Sequence, residues 1–405
     1  MKTKLSFTII ILILILPVSL YAADFGLTAN IHGGFGNSGN GENSYDVKTD
    51  LWPRFSMLIG DNAEFRASAG VTFEFEDEFS FIPELLQTEF SMRFGAAGIR
   101  LGRLNYSDPL SFIAEGLFDG VQYFYNTSFG NFRAGIFYTG FLYKNNSSIT
   151  MTVYDKLNFD TPVELNNFFN TYFAPKRAFA AVGWEHPSLG ELMHFRSTII
   201  GQIDLTGSDI KYHNQYLILK TGVPVDNFLI ELGCSLEVSQ TVAEKSSTDI
   251  AFAGEFGFFW LIPGEFNSRL SFTGRFAGGA VDGFCSAFVP ITAKNYGYIL
   301  KHKMSGLSVL SANYSSRFNK VLAASATASY FIRNDLGTFS GYPLTLESPD
   351  GFFLGPEASG RITWSPASDL QLNLGAGVFI PALGNTSLDE KTHWRADLTV
   401  TMSLF

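Results

Sequence analysis

The stretch Glu64-Phe65-Arg66-Ala67-Ser68-Ala69-Gly70-Val71-Thr72-Phe73-Glu74-Phe75-Glu76 decides the fold. Its apolar residues (Phe65, Ala67, Ala69, Val71, Phe73, Phe75) stand at every second position, with Glu64, Arg66, Ser68, Thr72, Glu74 and Glu76 between them. Side chains of a strand point alternately to opposite faces, so this segment reads as a strand with one greasy and one wet face. The same parity returns at Phe228 to Ser239, where Ile230, Leu232, Cys234, Leu236 and Val238 alternate with Glu231, Ser235, Glu237 and Ser239. It returns again at Ser268 to Phe276, where Leu270, Phe272 and Phe276 alternate with Arg269, Ser271, Thr273 and Arg275. Further alternating segments lie at 86–94, 193–205, 250–260, 322–332, 359–364, 370–380 and 394–404, and no helical periodicity of comparable length follows residue 23.

Two kinds of connection punctuate these segments. Tight ones are Gly60-Asp61-Asn62, Gly95 to Gly98, Ser128 to Asn131, His186 to Gly190, Pro224 to Asn227, Pro263 to Glu265 and Ser365 to Asp369, all rich in turn formers. Longer polar ones are Asn37 to Tyr45, Tyr106 to Leu117, Lys144 to Lys176, Gln240 to Ser247, Gly279 to Pro290 and Pro381 to Lys391. In a closed up-and-down barrel every second connection lies on one rim, so the alternation of short and long predicts such a barrel.

The composition agrees. Of 405 residues, 46% are hydrophobic, 15% aromatic and only 16% charged, with 41 Phe and 39 Gly. That apolar mass excludes disorder, and no run after the N-terminus reaches the length of a transmembrane helix. Two Cys cannot form a disulfide framework, and no zinc-ligand spacing occurs. The net charge is −10 with no basic block, so nucleic-acid binding has no support. Met1 to Ala22 carries Lys2 and Lys4, an apolar run Leu5 to Leu16, the breaker Pro17 and a small residue at Ala22. It reads as a cleavable signal peptide rather than an anchor, leaving one domain at 23–405.

Sandwiches, solenoids and propellers also alternate, but they turn the greasy face inward. Here Trp260, Trp364, Tyr330 and Trp394 sit near segment ends on the apolar parity, where a membrane girdle requires them. The expected fold is an all-β transmembrane antiparallel barrel of about 18 strands, within a range of about 16 to 20. The stretch Asn319 to Asp350 breaks the order of turns and loops unless Thr338 to Glu347 is itself a strand.

The chain ends in Phe405 directly after the segment Trp394 to Leu404. A signal peptide, alternating strands and a terminal Phe together resemble Gram-negative outer-membrane β-barrel proteins of the porin kind. The resemblance implies recognition of the last strand by the barrel-assembly machinery, contact with outer-membrane lipid and a cell outer-membrane location. Ser403, Thr401 and Thr399 stand where that family usually has apolar residues, while Leu404, Met402 and Val400 hold the greasy parity. Gly102-Arg103, followed by Phe118-Asp119-Gly120-Val121, also looks like a pairing common in porins.

If apolar positions face lipid, their alternates face the lumen. The lumen parity then holds Arg66, Arg93, Arg196, Arg269, Arg275, Arg361 and Arg395, with Glu74, Glu89, Glu231, Glu237 and Glu255 as the main acids. Polar walls in a wide barrel mean water, and fixed charges there set which solutes pass. Glu231, Glu237 and Glu255 on two successive strands, with Arg269 and Arg275 on the next, read equally as a transverse field or as ion pairs stiffening the wall. The connection Lys144 to Lys176 carries Tyr154, Phe159, Phe168, Phe169, Tyr172 and Phe173. A long loop so aromatic is expected to fold into the mouth and narrow it, or else to cap the surface.

Catalysis finds no footing: His32, His186, His194, His213, His302 and His393 are scattered, without a Ser/His pair or a carboxylate cluster for metal. Cys234 falls on the lipid parity and Cys285 in a loop, so no disulfide is expected. The sequence thus predicts a diffusion channel for small hydrophilic solutes without cofactor. A surface-exposed adhesin or structural barrel and a transporter of hydrophobic compounds are the alternatives, and the solute and the number of copies stay open.

Overall fold

The computed structural model describes residues 23–37, 43–75, 79–281, 285–336, 351–386 and 391–404. The proposed signal peptide, Phe405 and the stretch Thr338 to Glu347 lie outside them.

Eighteen antiparallel strands form one sheet that closes on itself. They are β1 (Ala23–Asn37), β2 (Asn43–Ile59), β3 (Ala63–Phe75), β4 (Phe79–Phe94), β5 (Ala97–Ser107) and β6 (Glu115–Thr127), followed by β7 (Gly130–Tyr138), β8 (Arg177–Leu189), β9 (Met193–Asp204), β10 (Lys211–Val225), β11 (Phe228–Val242) and β12 (Ser247–Ile262). The last third comprises β13 (Ser268–Ala277), β14 (Leu307–Arg317), β15 (Leu322–Arg333), β16 (Phe353–Ala367), β17 (Leu370–Phe379) and β18 (His393–Leu404). Each pairs with the next, and β1 pairs with β18 from Leu27–Leu404 to Asn37–Trp394, which closes the barrel.

The alternation sets the faces. Phe65, Val71, Phe272, Leu232 and Leu398 share the outer side through their registers, and their partners across the ladder are mostly apolar too. Cys234 also points outward, free and exposed. The outward Trp260, Trp364 and Trp394 lie near strand ends. Short turns join alternate strands at one rim, as at Gly60-Asp61-Asn62 and Gly95-Ala96, where Gly60 and Gly95 take φ of 64° and 65°, a region that favours glycine. Long connections gather at the other rim. Between β14 and β15 the chain turns tightly at 318–321, and the connection after β15 is long. The order of turns and loops therefore does not slip there, and no extra strand is needed. The connection after β13 runs from Gly278 to Gly306, well past the expected Pro290, and contains a two-residue ladder pairing Asn295–Tyr296 with His302–Lys303.

The lumen differs from the expected water-filled tube. A buried apolar cluster fills its long-connection half. Inward Tyr106, Phe118, Phe137 and Phe179 form its wall layer, with Phe118 and Phe137 each 4.8 Å from Phe179. The connections contribute Leu110, Phe112, Ile113, Leu142, Ile149, Met151, Phe288, Ile291 and Leu300. Burial of a Phe or Leu side chain is worth about 1.5–3 kcal/mol, so the loops dock inside because water would otherwise face their apolar surface.

Candidate functional site in the loop-filled lumen

Three connections build the inner body, and buried charges fix each one. The β5–β6 connection turns on Asp108, whose carboxylate accepts backbone N–H bonds from Leu110, Ser111, Ile113 and Ala114 at 2.7–3.0 Å. Burial pushes this carboxyl up from its ordinary value, and those four donors oppose the shift.

The β7–β8 connection carries α1 (Lys144–Ser147), α2 (Val153–Asp160) and α3 (Phe168–Thr171). Thr152 and Asp155 close a reciprocal cap on α2. Asp155 also accepts from Arg177 of β8 at 2.6 Å, and Arg177 lies 3.4 Å from Asp204 of β9, all three side chains being buried. Lys144 donates to the carbonyls of Asn158 and Thr161, and burial lowers its ammonium from the usual value. Of the aromatic residues singled out in this segment, Phe168, Tyr172 and Phe173 pack together: Tyr172 stacks on Tyr143 at 4.8 Å and on Phe168 at 4.4 Å, against inward Ile82 of β4. Tyr154 and Phe169 instead stay exposed. The segment therefore folds inward, as the constricting alternative required.

The β13–β14 connection hangs from two wall carboxylates. Glu237 accepts from Val289 N at 2.8 Å, and Glu357 of β16 accepts from the N–H groups of Tyr298, Ile299 and Leu300 at 2.5–2.9 Å. Ile291 N reaches the carbonyl of Ile113 at 2.7 Å, and Ala293 N that of Ser148 at 2.8 Å, so the three connections are tied to one another.

One part of the wall is held by a different device. β4 and β5 pair only from Phe94–Ala97 to Thr88–Arg103, so β4 from Phe79 to Gln87 has no β5 partner. Pro83, which has no N–H, stands in that edge. Its carbonyl accepts from the Tyr172 hydroxyl at 2.6 Å, and the carbonyl of Leu85 accepts from Arg103. Arg103 forks onto Asp119 of β6 with two bonds of 2.9 Å. Gly102 before it has φ 106°, and a side chain there would strike the carbonyl of Thr88. The Gly-Arg and Asp-Gly stretches read from the sequence thus meet across one ladder, where Arg103 pairs with Asp119 and Gly102 with Gly120.

All twelve charged residues predicted for the lumen share the inward parity in the strand registers, but they fall into groups. Near the tight-turn rim lie Arg66, 2.6 Å from Glu64; Arg93, exposed beside its turn; Arg269, over the ring of Phe259; and Arg361, exposed. Arg196 lines a cleft of ≈ 120 Å³ with Arg100, Arg133 and Glu185. Glu89 is buried and bonded by Arg100 at 2.6 Å. Glu231, Glu255 and Arg275 form one chain of charge with Lys220 of β10, whose ammonium is 2.6 Å from Glu255 and 3.2 Å from Glu231; Arg275 lies 3.4 Å from Glu255. Along this wall the opposite charges are bonded to each other, while Arg269 stands apart from Glu255. Glu237 is wholly buried beneath the β13–β14 connection. Glu74 faces Lys48 by register, and Arg395 meets Asp46 at 2.6 Å.

The inner body is eccentric. Its apolar cluster and anchors draw on β4 through β17, whereas the inward side chains on β18, β1, β2 and β3 contact mainly one another. His32 lies 3.0 Å from Thr399 and 3.4 Å from Asp46, and Thr72 donates to Asp50 at 2.6 Å. A polar strip of wall is thus left facing the loops' Tyr143–Tyr172 stack, with the Tyr143 hydroxyl in the field of Glu74 and Glu84. Sequence reading missed this arrangement. Its available signal was the inward aromatic parity of Phe118, Phe137 and Phe179.

No protein-family model matches the chain, and no curated protein matches its sequence. Solved structures do match in fold. The crystal structure of Pseudomonas aeruginosa OccK5 (OpdH) superposes with a TM-score of 0.62 at 10% identity, covering 95% of this chain and 98% of that one. The outer membrane protein OprD of the same organism gives 0.59 at 12%, covering 95% and 94%. OccK2 (OpdF), in complex with glucuronate, gives 0.59 at 14%, covering 95% and 98%. At such identities the likeness is one of architecture: the closed 18-strand barrel is common to them. Among the described residues no helix is long and apolar enough to cross a membrane, and no cluster of three or more His, Cys, Asp or Glu that could hold a metal ion occurs.

Proposed function

We propose that the chain is an outer-membrane channel for passive diffusion of small hydrophilic solutes. The observation that carries this reading is the eccentric inner body, which narrows a wide barrel yet leaves a charged, polar strip along β18, β1, β2 and β3. A barrel built only to stand in the membrane, or to present its loops, has no use for such a strip. Resemblance in fold to a protein crystallised with glucuronate, a small hydrophilic acid, points the same way. The reading includes export by cleavage after Ala22, lipid around the outer face and assembly by the barrel-inserting machinery. It places the tight turns at the periplasmic rim and the long connections outside. It assigns no catalysis and no cofactor. Arg66, Arg93, Arg196, Arg269 and Arg361, with Glu74 and Arg395, are the residues it assigns to solute contact; Glu89, Glu231, Glu237, Glu255 and Arg275 shape the wall behind them. Planar-bilayer recording of refolded protein tests it. Discrete conductance steps are expected, and correctly folded protein that passes no ions would favour the adhesin or structural barrel.

A further inference from the structure

Inward charge on this barrel is sorted along its axis. Near the tight-turn rim the inward side chains carry an excess of arginines from widely spaced strands, namely Arg54, Arg66, Arg93, Arg269, Arg317 and Arg361, against which Asp24 faces inward beside Arg54 and Arg66. Glu64 offsets Arg66 at 2.6 Å, but Arg269 lies over an uncharged ring. Farther up, along β18, β1, β2 and β3, where the side chains are half-buried and Asp50 is buried, the sign changes. Asp46, Asp50, Glu74 and Asp397 face inward there, with Glu84 beside them on β4. The bases on that strip sit next to acids: Arg395 is 2.6 Å from Asp46, and Lys48 is 3.8 Å from Asp50. The remainder is negative.

We propose that this separation of wall charge makes the pore a rectifier, with a cation-attracting stretch toward the long connections and an anion-attracting stretch toward the tight turns. Fixed charge in a water-filled passage concentrates counter-ions and excludes ions of its own sign. When the long-connection side is positive, cations enter through the negative stretch and anions through the positive one. Each is driven toward the other, both accumulate, and conductance rises. Under the opposite polarity each ion must first cross the stretch that excludes it, so the middle is depleted and conductance falls. The inference rests on the channel reading, because only an open passage carries current.

The experiment uses refolded full-length mature protein in planar bilayers of uncharged lipid, with KCl as the probe. Insertion direction is read from a cysteine replacing Asn62 in a tight turn, after Cys234 and Cys285 are changed to Ala, by a membrane-impermeant thiol reagent added on one side. At ~0.01 M salt, where the screening length is about 30 Å, currents should be at least about twofold larger with the long-connection side positive; at ~1 M, where it is about 3 Å, the ratio should approach unity. Combining Arg66→Gln, Arg269→Gln and Arg361→Gln should remove most of the asymmetry and shift ion preference toward cations. Combining Asp50→Asn with Glu74→Gln should also reduce it while shifting preference toward anions. Heat-modifiable gel migration verifies that each variant is folded. Symmetric low-salt currents from the unaltered protein, or a triple-arginine variant that rectifies undiminished, would overturn the inference and leave the channel reading standing. Folded protein that never conducts would overturn the channel reading instead.

Discussion

Asp155→Ala is expected to release the constricting loop without unfolding the barrel. Asp155 holds the β7–β8 connection to the wall through Arg177 at 2.6 Å and accepts from Met151 N and Thr152 N at 3.0 and 2.9 Å. Removing one member of a buried ion pair costs about 3–5 kcal/mol, mostly by stranding its partner. Arg177 keeps Asp204 at 3.4 Å, so the lower end applies to the pair. Loss of the reciprocal cap on α2 adds about 1 kcal/mol. A total of about 4 kcal/mol shifts the ratio of docked to undocked loop by nearly a thousandfold, at about 1.4 kcal/mol for each factor of ten. The barrel strands keep their ladders, so the effect should stay local. The assay is limited trypsin digestion of folded protein, read at Lys156 and Lys176, alongside single-channel recording. Cleavage within the loop and larger, noisier conductance are expected. A variant that resists trypsin and conducts like the unaltered protein would refute the claim that this pair holds the loop in place.

Glu357→Ala removes the acceptor for three backbone N–H groups of the β13–β14 connection; current noise should rise, and hydrogen exchange at Tyr298 to Leu300 should accelerate. His302, on that same connection, is buried, and this lowers its pKa to about 4. The undocked connection therefore takes up a proton that the docked one refuses, so docking is at full strength above about pH 6.5 and weakens by up to about 3 kcal/mol as pH falls toward 4. An acid-induced rise in conductance fluctuations that His302→Gln abolishes is the expected signature. Phe272→Arg or Val71→Arg on the outer face should destabilise the folded barrel by about 2–4 kcal/mol if near the midplane, whereas Thr72→Arg on the inner face should be mild; urea titration in lipid vesicles compares them, and equal effects would mean the faces are reversed.

Much of the barrel was legible in the sequence because strand parity is a local property. Phe65 and Arg66 point apart whatever the rest of the chain does, and a register slip would turn every greasy residue into the lumen. For the same reason all twelve predicted lumen charges fall on the inner face. What they touch is another matter. Glu237 reads like Glu231, two positions of one parity on one strand, yet the first lies wholly buried under a loop and the second pairs with Lys220. Which connection folds inward depends on packing between segments far apart in the chain, such as Ile113 with Ile291, and no periodicity encodes that. Between Asn319 and Asp350 the sequence shows no clear punctuation, because a tight turn at 318–321 and the strand Leu322–Arg333 follow each other without the Gly and Pro signals that mark the other turns.

The joint where the barrel closes, β1 against β18, lies on the wall that the inner body leaves bare. The packed cluster is recruited from Leu104 to Phe379, all of it in strands and connections that precede β18. Assembly thus has a natural order, in which the interior settles against an open, curved sheet and the first and last strands zip together last, His393 then closing on Phe379. A chain held short of closure should already protect the amides of Leu110 to Ala114 and of Ile299 and Leu300 from exchange, while those of β1 and β18 remain open.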